Sequence, residues 1–388
     1  MPVVVYDVTT SINGIEYPCG AKPVTRLLRP KMDTDTSLTL IEKARGCLLA
    51  GAVGDALGAP VEFMSIDEIV RQFGSSGITS YAPAYGGTGK ITDDTQMTLF
   101  TAEGLIRASV RGQRKGICHF PSVVAHAYQR WLLTQGHSNP EISAATDGWL
   151  FGINELHSQR APGITCLTAL ESMSYFGEAA INDSKGCGGV MRVAPVAFIG
   201  AATGDNTNAT SAFETAVEIC ALTHGHPTGQ LAGGYFAALL TLLTNGEQLL
   251  PAAIKCIDIL RNHENHSEVL THIERAIEKS TASPNCRNTL TELGEGWVAE
   301  EALAMSLYCA LSSDNLQDAL ILAVNHSGDS DSTGAITGNI VGLMAGERAI
   351  PAEWLETLEL KNVITEVAED LLTPDNGTDS WWARYPGH

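Results

Sequence analysis

The sequence predicts an all-α body carrying a short N-terminal arm. From about residue 38 onward apolar residues recur at helical spacing, strand-like alternation is nearly absent, and small residues recur at three- and four-residue steps. In chain order, Ile41, Ala44, Leu48 and Leu49 mark a first helix, Met97, Phe100, Leu105 and Ile106 another, and the run from Leu231 to Leu243 a third. Gly229-Ala232-Gly233 and Ala335-Gly338-Gly342-Ala345 carry the small-residue steps. Each glycine inside a helix costs roughly 1 kcal/mol against alanine, so its repetition implies that neighbouring helices or a ligand approach the backbone closely.

Residues 1–38 differ in kind. Val3-Val-Val-Tyr-Asp-Val-Thr-Thr and Ile15-Glu-Tyr17 flank Asn13-Gly14, a pair suited to a hairpin turn, and a basic, Pro-bounded stretch from Lys22 to Lys31 follows. The arm is therefore expected to form a β-hairpin outside the helical body. The body is assigned to residues 39–375 and a tail to 376–388, with Trp381 to Pro386 as an appended segment. Gly112 to Pro121 and Thr281 to Gly296 are predicted loops, and there is no internal repeat or low-complexity tract.

The composition narrows the function classes. At 388 residues and 44% hydrophobic, the chain can bury a full core. Its 24 Lys+Arg against 44 Asp+Glu give a net charge of -20, which argues against nucleic acid or an anionic membrane as partner. An anionic ligand would need local help from cations or backbone N–H groups. The nine cysteines are scattered without C-x-x-C spacing, pointing to reduced thiols rather than disulfides or zinc. The start, Met1-Pro-Val-Val-Val-Tyr-Asp, lacks a signal-peptide pattern, so the expected compartment is the cytoplasm.

Two acidic clusters dominate the chemistry: Thr92-Asp93-Asp94, and Gly328-Asp-Ser-Asp-Ser-Thr-Gly334 more than two hundred residues later. Crowded carboxylates and hydroxyls repel unless a cation sits among them, and oxygen donors of this kind suit Mg²⁺ or Ca²⁺. An EF-hand is excluded, because Ile340 occupies the position that needs a bidentate Glu. Each cluster instead precedes a helix, with Asp331 or Ser332 near the second cap. Read alone, each fits either a helix cap or a ligand set. Converging helix starts would supply four carboxylates and two hydroxyls, enough for a two-metal oxygen site.

Gly186-Cys-Gly-Gly-Val-Met-Arg192 misses the dinucleotide fingerprint, and Tyr85-Gly-Gly-Thr-Gly-Lys-Ile-Thr92 misses the P-loop. The former is either a plain turn or a nest of N–H groups for a diphosphate. In Thr223-His-Gly-His-Pro227 a histidine that hydrogen-bonds a ligand or backbone suits oxygen-rich surroundings better than a metal pair. Glu62 follows Gly54-Asp-Ala-Leu-Gly58 and reads equally as a surface carboxylate.

Taken in order, Gly51-Ala-Val-Gly-Asp-Ala-Leu-Gly-Ala-Pro-Val-Glu62 and the four motifs just quoted (Thr92 to Asp94, Gly186 to Arg192, Thr223 to Pro227, Gly328 to Gly334) resemble the ADP-ribosylglycohydrolases, the family that includes dinitrogenase reductase-activating glycohydrolase. The resemblance runs from about residue 42 to 346. It implies an orthogonal helical bundle with a binuclear Mg²⁺ site, Mn²⁺ being the other candidate, in a cleft that releases ADP-ribose from modified proteins. By resemblance, Thr92, Asp93 and Asp94 match one half of the metal site, and Asp329, Asp331 and Ser332 the other. Asp93, Asp94 and Glu62 would serve the chemistry. Gly186, Cys187, Gly188 and Gly189 match the phosphate loop, with Cys187 replacing a frequent Asn. His224 matches a ligand-lining histidine, and Asp147 a further substrate-contacting acid.

The resemblance is greatest to members acting on ADP-ribosyl-arginine, which gives an arginine linkage and an ADP-ribosylated protein as the expected substrate. A second expectation has another source. The arm of residues 1–38 could bind an ADP-ribosyltransferase toxin, which would make the chain an immunity or inhibitor protein as well.

Overall fold

In a computed structural model, residues 32–143, 145–200 and 208–387 are described. The hairpin expected around Asn13-Gly14, and with it the arm's partner, lies outside them. Sixteen α-helices are present among the described residues: α1 Leu40–Gly58, α2 Ile66–Phe73, α3 Asp93–Lys115, α4 Phe120–Thr134, α5 Ile164–Ser172, α6 Ala209–Ala221, α7 Pro227–Thr244 and α8 Leu249–Leu260. Then follow α9 Ser267–Ala282, α10 Arg287–Leu293, α11 Ala299–Ser312, α12 Leu316–Ala323, α13 Ser330–Ala345, α14 Ala352–Thr357, α15 Lys361–Asp370 and α16 Asp379–Arg384. The strands are two-residue pieces, β1 Pro83–Ala84 and β2 Gly87–Thr88, paired antiparallel. Their turn residues Tyr85 and Gly86 have φ of 49° and 78°, the left-handed pair that tight hairpins demand. The all-α expectation holds, and no described helix is long and apolar enough to cross a membrane.

The small-residue steps are explained by the pairing of α1 with α13. A Cβ on Gly46 would stand 2.2 Å from the Gly342 carbonyl oxygen, on Gly54 2.0 Å from that of Gly334, and on Gly58 2.3 Å from that of Ser330. From the other side, a Cβ on Gly338 would stand 2.0 Å from the Ala50 carbonyl oxygen. Each four-residue advance along α1 thus meets a four-residue retreat along α13, so the helices run antiparallel, backbone against backbone. This geometry carries the fold into the site. It lays the C-terminal end of α1, where Asp55 lies, beside the N-terminal end of α13.

Around this pair the core is filled by large side chains, among them Phe100 of α3, Tyr128 and Trp131 of α4, and Tyr235 and Phe236 of α7, all buried. Each contributes about 1.5–3 kcal/mol by leaving water. Gly104 lets α3 approach α4, since a Cβ there would meet Val124 Cα at 2.8 Å. Between the same helices the buried Glu103 accepts from Arg130 at 2.9 Å and pairs with Arg107 at 3.1 Å.

Two predicted loops are shorter than expected. α3 continues through Gly112 to Lys115 and ends at Gly116, whose φ of 80° suits a helix stop, while Pro121 falls in the first turn of α4, where proline is tolerated. Within Thr281 to Gly296, α9 runs to Ala282 and the seven-residue α10 forms because Leu290 and Leu293 are buried and Arg287 bonds the carbonyls of Ser75 and Ser76. At the C-terminal end, α16 places Trp381 and Tyr385 in buried positions, with the Tyr385 hydroxyl on Asp370 at 2.6 Å.

Candidate metal centre

The two acidic clusters occupy two helix starts, and both of those starts are capped by their own motif. Thr92 caps α3, its hydroxyl accepting from Asp94 N at 3.3 Å, with Asp93 and Asp94 in the first turn. Asp329 caps α13, accepting from Ser332 N at 3.2 Å, so the cap falls earlier than the expected Asp331 or Ser332, and Asp331 accepts from the same N–H at 2.9 Å. Caps account for single oxygens only. They do not explain why Glu62, Asp93, Asp94, Asp329 and Asp331 are all no more than 6% exposed.

These carboxylates face one another. Glu62, Asp329 and Asp331 offer oxygens that all lie within 4.8 Å of one another. Asp94 Oδ1 and Glu62 Oε2 are buried without a hydrogen-bond partner among the described residues, although an unsatisfied buried polar atom is costly. Burial first, and then mutual repulsion, raises the whole set. Asp93, Asp94 and Asp329 are held well above the ordinary carboxylate range by burial, with the charge of Asp331 the next cause for each. Burial, followed by Asp331, Asp329 and Asp93, pushes Glu62 up to about 11. Asp331 is itself raised by burial. Carboxylates that cannot ionise together, with oxygens left bare, fit divalent cations with hard oxygen preference.

Asp55 is the member of this group that the sequence reading missed. Fully buried on α1, it accepts from Thr92 N at 3.0 Å, from Thr95 N at 3.1 Å and from the Thr95 hydroxyl, so it fastens the start of α3 to α1. Burial, then the charge of Asp331, pushes it up to about 7. The available signal was a lone acid inside the apolar, glycine-rich stretch Gly51 to Gly58. The other flank of α3 is fixed by Gly163 N, which donates to Asp93 Oδ2 at 3.2 Å, and by Asp93 N, which donates to the Arg160 carbonyl at 3.2 Å.

The glycine-rich loop abuts the cluster through Cys187. Its thiol donates to Asp329 Oδ2 at 2.7 Å, and the Ser332 hydroxyl lies 3.6 Å from its sulfur, so the residue that departs from the family pattern touches two residues of the acidic set. Burial and the nearby Asp329 charge hold this thiol well above its ordinary range. The loop is moored by Cys187 N on the Trp297 carbonyl at 3.2 Å. His224 lines it: a Cβ on Gly188 would meet His224 Cε1 at 3.1 Å and one on Gly186 would meet Nε2 at 3.5 Å. Burial and Arg192 drive His224 down to about 3, so the ring is neutral.

Three aromatics surround this region. Tyr85 lies close enough that the charges of Glu62, Asp331, Asp55 and Asp93 add to burial in raising its phenol. Phe63 and Trp297 stack with centroids 5.8 Å apart at 20°, and Phe63 is 72% exposed. Asp147 is placed elsewhere among its neighbours. Its carboxylate accepts from Arg107 at 2.8 Å, in the network that Arg107 and Arg130 form with Glu103.

The profile of the ADP-ribosylglycohydrolase family matches residues 36–380. Among similar proteins, the ADP-ribosylarginine hydrolase Tri1 of Serratia proteamaculans (strain 568) is 27% identical over 345 residues, covering 85% of this chain and 79% of that protein. The ADP-ribosyl-[dinitrogen reductase] glycohydrolase of Rhodospirillum rubrum is 25% identical over 335 residues, covering 84% of this chain and 93% of that protein. A solved structure described as an ADP-ribosylglycohydrolase-related protein complex superposes with a TM-score of 0.62 at 24% identity, covering 86% of this chain and 98% of the other, which supports the fold.

Proposed function

Since the chain belongs to the ADP-ribosylglycohydrolase family, we propose that it is a hydrolase that removes ADP-ribose from arginine side chains of proteins, using two Mg²⁺ ions. Mn²⁺ is the alternative ion. The observation that carries this reading is the convergence of buried carboxylates with bare oxygens, at two helix starts, beside a glycine loop lined by a neutral histidine.

The division of labour follows from the residues. Thr92, Asp93 and Asp94 at the start of α3, and Asp329, Asp331 and Ser332 at the start of α13, would hold the cations, with Glu62 contributing from the turn that follows α1. When bound, such cations supply charge stabilisation at substrate oxygens and lower the pKa of a water. Within the Gly186–Gly189 loop, Cys187 N is committed to the Trp297 carbonyl and Gly186 N to the Ser184 hydroxyl, so the N–H groups of Gly188 and Gly189 are the ones that receive the diphosphate, since an acidic protein has few free cations to offer it. Asp55 keeps the α3 start in register against α1. Hydrolysis breaks the bond between the anomeric carbon and the guanidine nitrogen; water's oxygen joins the carbon and a proton goes to the departing guanidine. We leave Asp147 out of the ligand set, because Arg107 engages its carboxylate.

Two observations support arginine as the linkage. The Serratia relative is named for it. Phe63 and Trp297 also offer flat, exposed faces of the kind a planar guanidinium stacks on. The test is release of free ADP-ribose from an arginine-ADP-ribosylated protein with Mg²⁺ or with EDTA, comparing wild type with Asp94→Ala. Release that needs both Mg²⁺ and Asp94 is expected. Undiminished release by a folded Asp94→Ala protein would overturn the site assignment, and release from serine-linked substrates alone would overturn the linkage.

A further inference from the structure

Both the glycine loop and the histidine motif contain a residue whose role is still open: Arg192 ends one, and Thr223 begins the other. Arg192 is fully buried. Its guanidinium lies over the Tyr128 ring at 4.3 Å, contacts Met97 Sδ and Cys166 Sγ at 3.4 Å each, and donates to Thr223 Oγ1 at 2.6 Å. It also reaches the Ile219 carbonyl at 3.5 Å, and none of these partners is a carboxylate, so a full charge is buried among two sulfurs, one carbonyl and one hydroxyl. Such a placement is costly, and a positional role would explain its use here.

A guanidinium has only donors, so the Thr223 oxygen accepts from Arg192. The same oxygen lies 2.8 Å from His224 Nδ1. A cation on the far side of the hydroxyl favours a lone pair on Nδ1 over an N–H dipole pointing at it, so the Thr223 hydrogen goes to Nδ1. The ring proton then belongs on Nε2. That nitrogen faces the loop, where a Cβ on Gly186 would lie 3.5 Å from it and one on Gly188 3.4 Å.

We infer that Arg192 and Thr223 are positioning residues that fix His224 as the neutral tautomer protonated at Nε2, so that it presents one N–H donor to an oxygen of the ADP-ribosyl group in the Gly186–Gly189 loop. The ligand in this statement rests on the proposed function; the tautomer does not. The relay also prevents the ring from becoming a second cation beside Arg192, in line with its depressed pKa of about 3.

The test reads tautomer and affinity separately. In protein labelled with ¹⁵N-histidine, the His224 signals are assigned by their loss in His224→Gln, and two-bond correlations identify which nitrogen carries the proton. Wild type and Thr223→Ser are expected to show His224 protonated at Nε2. Thr223→Val, of nearly equal volume, should lose that fixed tautomer and bind ADP-ribose roughly ten-fold more weakly in calorimetric titration, the size of one well-made hydrogen bond, measured below a melting temperature that falls because Arg192 also loses an acceptor. A proton on Nδ1 in wild type, or a valine variant that keeps both tautomer and affinity, overturns the inference. The tautomer pattern as expected, with no ADP-ribose binding by any of the proteins, supports the relay and sinks the proposed ligand.

Discussion

Without divalent cations, the stability of this protein should fall as pH rises through neutrality, and cations should restore it. Asp55 gives the size of the effect. Below about pH 4 the folded and unfolded chains both hold its proton, and it leaves stability unaffected. As pH rises, the unfolded chain releases the proton near its ordinary value, while the folded chain keeps it up to about 7. Above that value the loss is complete and amounts to about 4 kcal/mol. Glu62, Asp93, Asp94 and Asp329 are raised too and act in the same direction. For a chain of 388 residues, with an unfolding entropy of about 0.8 kcal/mol/K, 4 kcal/mol corresponds to about 5 °C in Tm.

Cations take the place of the protons, so their benefit grows where the carboxylates would otherwise repel as anions. At a hundred times its Kd, one ion adds about 2.7 kcal/mol. The assay is thermal unfolding in EDTA and in millimolar MgCl₂, at about pH 5 and about pH 7.5, which span the upper part of the Asp55 titration. Asp55 alone loses about 2.7 kcal/mol over that span, so Tm in EDTA should drop by at least about 3 °C, and the gain from Mg²⁺ should be larger at the higher pH. Asp55→Asn retains an acceptor for Thr92 N but loses the titration, so its pH dependence in EDTA should be shallower. A flat Tm in EDTA, or equal Mg²⁺ gains at both pH values, would refute the view that these carboxylates form one strained cluster relieved by metal.

Three further substitutions probe the packing that positions the cluster. Gly338→Ala places a methyl 2.0 Å from the Ala50 carbonyl oxygen, a backbone atom that cannot swing aside, so urea unfolding should show a loss of about 3 kcal/mol or more. Gly152→Ala meets nothing within 4 Å and should stay within about 0.5 kcal/mol of wild type. Glu103→Gln leaves the guanidiniums of Arg107 and Arg130 without their shared anion and should cost about 3–5 kcal/mol in the same measurement. A loss below about 1 kcal/mol there would mean that Asp147 alone suffices for both arginines.

The features legible in the sequence are those whose cause is local or periodic. The glycine steps of α13 announced a close helix crossing, since nothing but proximity compensates for repeated glycine in a helix. They did not reveal that the partner is α1, although Gly46, Ala50, Gly54 and Gly58 keep the same four-residue step. The two acidic clusters showed as helix starts because capping and acidic first turns are local rules. Short α10 was missed for the opposite reason: its seven residues are held by burial and by the distant carbonyls of Ser75 and Ser76.

Asp55, Asp147 and Arg192 show where such reading stops. All three are charged residues whose meaning depends on a partner far along the chain or on a fold-made pocket. Asp55 answers to the N–H groups of Thr92 and Thr95, and Asp147 to Arg107. Arg192 sits against Tyr128 and Thr223. No period or motif encodes these pairings, because the antiparallel approach of α1 and α13 and the packing of α3 on α4 create them. The same dependence makes the site cooperative. Asp55 can hold the start of α3 within the acidic cluster only while glycine keeps α1 close to α13. A methyl at Gly338 should therefore weaken Mg²⁺ binding as well as stability, through a contact that touches no ligand.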